Sequence, residues 1–215
     1  MKKLHVALAT VVAMLMVLAA WSFWFEPRRL VVSDVELMLP HLPSEADGLR
    51  IAVMTDLHVG SPHHGLPKQR AIVAEVNRGD VDLVLIPGDV VIQGVLGGRF
   101  IEPEAIAREL RALRARLGVY AVLGNHDWWF DAPRVARALE DVGIPVLHDE
   151  AVSVPLGDRT LWLGGVSDLW EGEHDIAKTL AGVPDGEPVI LFTHNPDIVR
   201  ALLDEWIGRA RGRAG

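Results

Sequence analysis

Short apolar runs alternate with segments of helical periodicity along the chain from Leu49 onward. The apolar runs are short and rich in branched residues, which is typical of buried strands; they cover residues 50–55, 81–86, 119–123, 160–166 and 188–193. The segments between them repeat apolar positions every three or four residues, and several begin with proline near the first turn, as helices do; they cover residues 67–77, 102–117, 132–142 and 196–207. This alternation predicts an α/β fold with an at least partly parallel sheet.

The amino terminus has a different pattern. Residues 6–25 form a run of twenty positions without a charge. At about 1.5 Å per residue such a helix spans about 30 Å, the hydrocarbon thickness of a bilayer. Trp21, Trp24 and Phe25 lie at the end of the run, and aromatic rings favour the membrane interface. We predict a single-pass membrane helix, with a cleaved signal peptide as the alternative.

These patterns divide the chain into three regions. Residues 1–25 are the membrane anchor, and residues 26–48 are a connector with one candidate strand at 30–39. Residues 49–215 form the domain. Lys2 and Lys3 favour the inner side of the membrane for the start of the chain, so we expect the domain on the outer, periplasmic or extracellular face.

Composition excludes several kinds of chemistry. The chain has no cysteine, which excludes disulfides, thiolate zinc sites and a cysteine nucleophile. Its formal net charge is −8, and the two lysines of the first 25 residues leave the remainder at −10. A chain this acidic is a poor general binder of nucleic acid, so we expect no nucleic-acid partner. Neither the GxSxG motif of a serine nucleophile nor the GxxxxGK[ST] phosphate loop occurs. Nothing in the sequence indicates an oligomeric state.

Polar residues able to bind metal follow four of the predicted strands. They are Asp56 and His58, Asp89, the run Asn125-His126-Asp127, and His194. In an open α/β sheet the carboxyl ends of the strands form the crevice where ligands bind. Carboxylate, imidazole and amide groups without sulfur suit manganese, iron or zinc. The alternative is that these residues only form turns and helix caps, which Asp and Asn favour.

The motifs resemble a known family when they are taken together and in order. DLH (56–58), GDVV (88–91), GNHD (124–127) and THNPD (193–197) resemble those of the calcineurin-like metallophosphoesterases, and the surrounding sequence is similar to their membrane-associated bacterial branch. The resemblance covers roughly residues 49–199. It implies an αββα sandwich of mixed sheets. It also implies that a phosphomonoester or phosphodiester substrate is hydrolysed by hydroxide bound to two divalent metal ions (Mn, Fe or Zn).

The resemblance also implies a role for each ligand-type residue. Asp56 and His58 would bind the first ion, and Asn125 and His194 would bind the second. Asp89 would bridge the two ions by directing its two carboxylate oxygens to different ions. For His194, capping of the helix that follows is the alternative.

Two further residues of the third motif would serve catalysis. His126 would stabilise the transferring phosphoryl group or protonate the leaving oxygen, and Asp127 would orient His126 through a hydrogen bond. Trp128 and Trp129 would either form an apolar lip for a lipid-like substrate or pack at the start of a helix. Together with the membrane helix, they make a lipid-linked phosphate or pyrophosphate a reasonable substrate.

Other residues near the motifs have structural interpretations. We expect Asp168 to close a turn after the fourth strand, with a role in the site as the alternative. We expect His63 and His64 to be solvated loop residues, with contact to substrate as the alternative.

The chain departs from the family in one motif. The family's last motif, GHxH, does not occur in these 215 residues, so each ion would lose one imidazole. We therefore expect a C-terminally incomplete fold, a truncated chain, weak metal binding and little hydrolysis. The alternative function is a catalytically impaired, membrane-tethered domain that binds metal or a phosphorylated ligand.

Overall fold

A computed structural model describes residues 2–39, 42–200 and 203. Its α-helices are α1 (Lys2–Ala20), α2 (Leu66–Arg78), α3 (Pro103–Leu110), α4 (Asn125–Glu140) and α5 (Ile176–Ala181). Its strands are β1 (Ile51–Val53), β2 (Leu83–Ile86), β3 (Val119–Ala121), β4 (Glu150–Leu156), β5 (Arg159–Gly165) and β6 (Val189–Phe192). The strands form two three-stranded sheets, in the orders β1-β2-β3 and β4-β5-β6.

The first sheet is parallel, and its central strand is buried on both faces. β2 pairs in parallel with β1 and with β3. Successive side chains of a strand point to opposite faces of the sheet, so alternate residues of β2 pack on the helices and on the other sheet. Val84 and Ile86 pack in one core together with apolar residues of α2, α3 and α4. Leu83 and Leu85 pack in a second core against strands of the other sheet.

The second sheet combines antiparallel and parallel pairing. β4 and β5 form an antiparallel hairpin, and β6 pairs with β5 in parallel. Leu161 and Leu163 of β5 belong to the core shared with the first sheet. Ile176 of α5 and Ile198, in the helical turn after β6, pack with Val166 in a further apolar cluster. Helices therefore cover the outer faces of both sheets, which confirms the predicted αββα sandwich.

Two helices differ from their predicted bounds for local reasons. α3 ends at Leu110 rather than at 117, because the side chain of Asn77 holds the following turn: it donates to the carbonyl of Ala112 (2.8 Å) and accepts from the N–H of Arg114 (2.8 Å). α4 begins at Asn125 rather than at 132, with a kink where Asp131 is non-helical. Asp131 accepts from the N–H of Arg134 (3.1 Å) and so caps the second part of the helix.

Three further segments differ from the sequence prediction. β4 and α5 were not predicted. The strand expected at 30–39 does not form; this segment pairs with no strand among the described residues, and its apolar side chains are exposed. The helix predicted at 196–207 is helical at 198–200, and most of its remainder lies outside the described residues.

α1 leads from the amino terminus to the domain. It continues through a π-helical turn (Trp21–Phe25) and a 3₁₀ turn (Glu26–Arg28), and no residue of α1 is buried. The segment from Lys2 to Arg28 is long and apolar enough to cross a membrane. The division of the chain into anchor, connector and domain stays a prediction.

Candidate active site

The chain segments that follow β1 and β2 run side by side in a strained conformation. The N–H of Asp56 donates to Gly88 O (3.2 Å), and the N–H of His58 donates to Asp89 O (2.8 Å). Asp56, His58 and Asp89 all have positive φ angles, of 52°, 40° and 55°. Left-handed backbone is unfavourable for residues with a side chain and persists where the surrounding structure enforces it, often at functional sites.

Two glycines bring the second and third motifs into contact. A Cβ atom on Gly88 would lie 2.2 Å from the backbone nitrogen of Gly124, and a Cβ atom on Gly124 would lie 2.3 Å from Asp89 Oδ1. Such distances are far below van der Waals contact, so only glycine allows this approach. The approach places Asp89 against the amino terminus of α4.

Asp89 lies at the centre of the cluster and is 2% exposed. Its Oδ1 accepts a hydrogen bond from the N–H of His126 (2.9 Å). Its Oδ2 lies 3.3 Å from His58 Nε2 and 3.4 Å from His194 Nε2. Oδ2 thus faces the two imidazoles, and Oδ1 is oriented by the backbone of α4; the role of Asp89 as a bridge between two ions stays a prediction.

Each of the two ring nitrogens of His194 lies close to an oxygen atom. Its Nδ1 lies 2.9 Å from Pro87 O and its Nε2 lies 3.1 Å from Asn125 Oδ1. A carbonyl can only accept, so Nδ1 carries the proton, and in a neutral imidazole Nε2 is then an unprotonated acceptor. Nε2, Asn125 Oδ1 and Asp89 Oδ2 are then three acceptors facing one another, an arrangement that suits a cation. The capping role considered for His194 belongs to Asn195, which accepts from the N–H of Asp197 (3.0 Å).

The clustered side chains form two groups that could each hold a metal ion. One group contains His58, Asp89 and His126, and the other contains Asp56, Asp89 and His194; within each group the ligand atoms lie within 4.8 Å of one another. Asp89 is common to both groups. The Asp56 side chain is 54% exposed, so the cluster is open to solvent on that side.

His126 lies between the cluster and an aromatic side chain. Its ring centroid is 4.8 Å from that of His58 and 4.8 Å from that of Trp129. Its Nδ1 is buried, with no hydrogen-bond partner among the described residues. The ring is therefore held by packing on two sides rather than by a hydrogen bond at Nδ1.

Asp127 stabilises the backbone of the site and does not bond to His126 as the sequence suggested. The side chain is fully buried. Its Oδ1 accepts from the N–H groups of Val90 (2.9 Å) and Val91 (3.1 Å), and its Oδ2 accepts from Gly124 N–H (3.0 Å). Burial raises the pKa of Asp127 to about 7, and the charge of Asp89 acts in the same direction, whereas the three N–H donors oppose the shift. Asp127 thus ties the loop after β2 to the start of α4.

This geometry agrees with the comparisons with known proteins. The calcineurin-like phosphoesterase family model matches residues 49–212. The chain belongs to this family. It is 32% identical over 209 residues to the transmembrane protein with metallophosphoesterase domain of Danio rerio, covering 91% of this chain and 46% of that protein.

Two bacterial proteins are also similar to this chain. An uncharacterized metallophosphoesterase of Helicobacter pylori is 30% identical over 190 residues, covering 85% of this chain and 47% of that protein. The UDP-2,3-diacylglucosamine pyrophosphatase LpxG of Chlamydia trachomatis is 23% identical over 248 residues, covering 92% of this chain and 72% of that protein. The chain thus spans about half the length of the Danio rerio and Helicobacter pylori relatives.

The two tryptophans of the third motif have different surroundings in the phosphoesterase fold. Trp128 is partly buried against the helical core, with its ring 5.6 Å from that of His148. Trp129 is 54% exposed next to His126, and its Nε1 donates to Glu171 Oε1 (2.7 Å). Trp129 therefore forms one edge of the site, whereas Trp128 packs in the fold.

Asp168 closes a turn that carries Glu171, as expected. Its Oδ2 accepts from the N–H groups of Trp170 (2.8 Å) and Glu171 (3.1 Å). The contact between Glu171 and Trp129 was not predicted. It joins the end of the second sheet to the candidate site, and no motif marks it in the sequence.

The two loop histidines, which we expected to be solvated, also make specific contacts within the protein. His64 is partly buried with Nε2 3.2 Å from Gln69 Oε1, and burial lowers its pKa. His63 Nε2 lies 3.0 Å from the carbonyl oxygen of Phe23, at the end of the membrane helix.

A second polar group and a cavity lie outside the motifs. Ser167 Oγ lies 3.0 Å from His148 Nδ1, and its N–H donates to buried Asp149 (2.9 Å). A cavity of about 130 Å³ is lined by Gly60 and by residues of the loop at 92–100. The cavity contains none of the ligand-type residues of the motifs.

Proposed function

We propose that the chain is a metal-dependent phosphoesterase that hydrolyses a phosphomonoester or phosphodiester at a dinuclear centre. The observation that carries this proposal is the position of Asp89: its Oδ2 lies 3.3 Å and 3.4 Å from the ring nitrogens of two histidines on different strand ends. Membership of the calcineurin-like phosphoesterase family supports the proposed reaction class.

We assign the ligands in two sets that share Asp89. Asp56 and His58 would hold the first ion, since His58 Nε2 lies 3.6 Å from Asp56 Oδ1, and Asn125 and His194 would hold the second, since their ligand atoms lie 3.1 Å apart. Asp56 also lies within reach of His194, and His58 within reach of His126, so this division follows the family resemblance rather than the two geometric groups. Asp89 would be shared by the two ions, and the hydrogen bond from the N–H of His126 to its Oδ1 orients the carboxylate for this role. Bound divalent cations, of manganese, iron or zinc, would supply Lewis acidity for the phosphoryl oxygen and a low pKa for a bound water.

His126 is the proposed catalytic group beside the ions. An imidazole there can stabilise the charge on the transferring phosphoryl group or protonate the leaving oxygen. Trp129 and His58 pack against its ring. Asp127 is a positioning residue. It accepts hydrogen bonds from the N–H groups of Val90, Val91 and Gly124, and these bonds fix the backbone that carries both Asp89 and His126.

The surroundings of the site favour a substrate with an apolar part. Trp129 and Trp170 are 54% and 64% exposed, and Asp168 holds the turn that carries Trp170. One relative is named a pyrophosphatase of a diacylated sugar nucleotide. We propose a lipid-linked phosphate or pyrophosphate as substrate, with α1 in the membrane and the domain on the outer, periplasmic or extracellular face.

Substitution of Asp89 tests the function. If the proposal is right, the full chain in detergent hydrolyses p-nitrophenyl phosphate or bis(p-nitrophenyl) phosphate with Mn²⁺, although the sequence predicted little hydrolysis. Asp89→Asn should lower this rate by about 100-fold or more, because both ions lose their shared carboxylate. Asp158→Asn, the same change in the exposed turn between β4 and β5, should leave the rate unchanged. Equal rates for the Asp89 variant and the unchanged chain would refute the proposed centre.

The alternative function for these 215 residues is a domain that binds metal without turnover. Calorimetry with Mn²⁺ separates the two functions. Heat of binding that disappears in Asp89→Asn, without hydrolysis by the unchanged chain, would support the binding domain. Robust metal-dependent hydrolysis by the 215-residue chain would exclude it.

The apolar lip is tested by substrate preference. Trp129→Ala should raise KM for a phosphate ester with an acyl chain by about 10-fold, since a well-buried aromatic contact contributes on the order of 1.4 kcal/mol. KM for p-nitrophenyl phosphate should change much less. Trp170→Ala, on the neighbouring turn, should raise the same KM by less, because Trp129 contacts His126 and Trp170 does not. Equal changes of KM for both substrates would contradict an apolar lip.

A further inference from the structure

The loop between β2 and α3 carries an exposed apolar tip. In residues 92–100, which we call the tip loop, Leu96 is 97% exposed, and Val95 and Phe100 are partly exposed. A single exposed leucine is common on protein surfaces. Whether Leu96 has a function therefore depends on where the tip loop lies in the molecule.

The tip loop lies backbone to backbone against the loop that follows β1. Arg99 N–H donates to Gly60 O (2.7 Å), and a Cβ atom on Gly60 would lie 2.2 Å from Arg99 O. Gly97 lies next to Pro62, whose Cγ would be 3.7 Å from a Cβ atom on that glycine. These contacts fix the tip loop beside residues 60–64.

Residues 60–64 in turn contact the end of the membrane helix. His63 Nε2 lies 3.0 Å from Phe23 O, and the His63 ring is edge-on to the Trp24 ring at 5.8 Å. Close by, Lys68 Nζ donates to Pro27 O (2.6 Å). Aromatic residues at the end of a transmembrane helix lie at the level of the lipid headgroups. The loop that supports the tip loop is therefore at the level of the membrane interface.

We infer that the tip loop is a second membrane-contact element, with Leu96 inserted into the leaflet next to the exit of α1. Leu96, Val95 and Phe100 supply apolar surface for the acyl region. Arg99 on the same loop and Arg28, which stacks on Trp24 at 3.5 Å, supply positive charge for anionic headgroups, although the chain as a whole is acidic. The occupant of this surface is the bilayer that holds α1.

This contact would turn the candidate site towards the membrane. The two loops begin directly after His58 and Asp89, and Val59 and Val91 bridge them at that point. A domain held at α1 and at the tip loop cannot rotate freely about the helix. The inference does not depend on hydrolysis, so it can be tested whether or not the chain is an active enzyme.

The absence of cysteine makes a site-specific probe possible. Leu96→Cys in the full chain would be labelled with an environment-sensitive nitrobenzoxadiazole dye and reconstituted into vesicles of phosphatidylcholine and phosphatidylglycerol. Apolar groups at an interface lie about 5–10 Å into the boundary between headgroups and acyl chains. We therefore expect a blue-shifted emission that is quenched when the vesicles contain lipid with a nitroxide at a shallow acyl position.

Glu140→Cys provides the matched control, because Glu140 is exposed at the opposite end of α4 from the site. Its label should show the emission of an aqueous dye and no quenching by the lipid nitroxide. Circular dichroism would verify that both variants retain the fold. Equal quenching at the two positions would overturn the inference. A blue shift at position 96 without lipid quenching would also overturn it, because it would indicate contact with protein.

Discussion

At the scale of single residues, the site depends on two glycines whose backbones touch. Gly88 precedes Asp89, and Gly124 precedes Asn125 and His126. Any side chain on either glycine would occupy the space of the other backbone or of the Asp89 carboxylate. The carboxylate can therefore accept from the N–H of His126 only while both positions lack a Cβ atom. These glycines determine the geometry of the site although neither offers a ligand.

Gly124→Ala tests this dependence. The added methyl would lie 2.3 Å from Asp89 Oδ1 and 2.6 Å from the Asp89 nitrogen, so Asp89 has to move. We expect affinity for Mn²⁺ to fall by about 10-fold or more and the free energy of unfolding to fall by about 1–3 kcal/mol. Titration calorimetry and chemical denaturation measure the two effects.

Gly182→Ala is the control for this change. A Cβ atom on Gly182 would meet nothing within 4 Å, and its φ of −86° suits any residue. This variant should bind Mn²⁺ like the unchanged chain. Unchanged Mn²⁺ affinity in Gly124→Ala would show that the site tolerates displacement of Asp89.

At the scale of elements, one aspartate joins the starting ends of the three strands of the first sheet. Asp82 Oδ2 accepts from the N–H of Arg50 (3.0 Å), just before β1, and Oδ1 accepts from Arg116 Nη2 (2.9 Å), just before β3. The backbone hydrogen bond from Arg50 and the guanidinium of Arg116 hold the pKa of Asp82 below its ordinary value of 3.8. Asp82 thus stabilises the sheet at the end opposite to the candidate site.

The lowered pKa of Asp82 predicts a pH-dependent stability. The native state favours the ionised carboxylate, so its contribution is complete above pH 3.8 and is lost as the pH falls from there through the lower native pKa. Asp82→Asn should lower the free energy of unfolding by about 1 kcal/mol at neutral pH, and this difference should shrink in acid. Denaturation across the pH range measures the difference, and Asp158→Asn again serves as the control. A difference that stays constant in acid would contradict the assignment.

The sequence predicted those elements whose signals are local. Apolar runs marked five of the six strands, and the motif order placed the ligand-type residues at one edge of the fold. The end of α3 was not predictable in this way, because Asn77, on a different helix, holds the turn after it. The helix predicted from residue 132 matches only the second part of α4, which Asp131 caps. The first part, from Asn125 to the kink, was not predicted.

Side-chain partners were harder to predict than elements. Asp127 stands next to His126 in sequence, but its oxygens face the loop after β2, because a helix start directs consecutive side chains in different directions. β4 was missed although its hairpin with β5 has a Gly-Asp turn; Pro155 interrupts its pattern, and proline is tolerated in an edge strand.

At the scale of the whole molecule, the contacts between the amino-terminal helix and the domain favour an uncleaved helix over a cleaved signal peptide. His63 and Lys68 contact Phe23 and Pro27, so the end of the apolar helix rests on the domain. We predict an uncleaved anchor. Mass spectrometry of membrane-extracted protein should find Lys2 and Lys3, and an alkaline wash should not release the chain. A mature terminus near Ser22 would instead identify a cleaved signal peptide.

The hydrogen bond between His194 and Pro87 joins residues 107 positions apart in the chain, and it has a consequence for how the protein matures. Every ligand-type residue of the first group comes from the amino-terminal half of the domain, whereas the second group also needs His194 from the far sheet. The second group can therefore form only when the two sheets have packed against each other, whereas the first group can form earlier. Metal bound by the second group would then report that the domain has completed its fold.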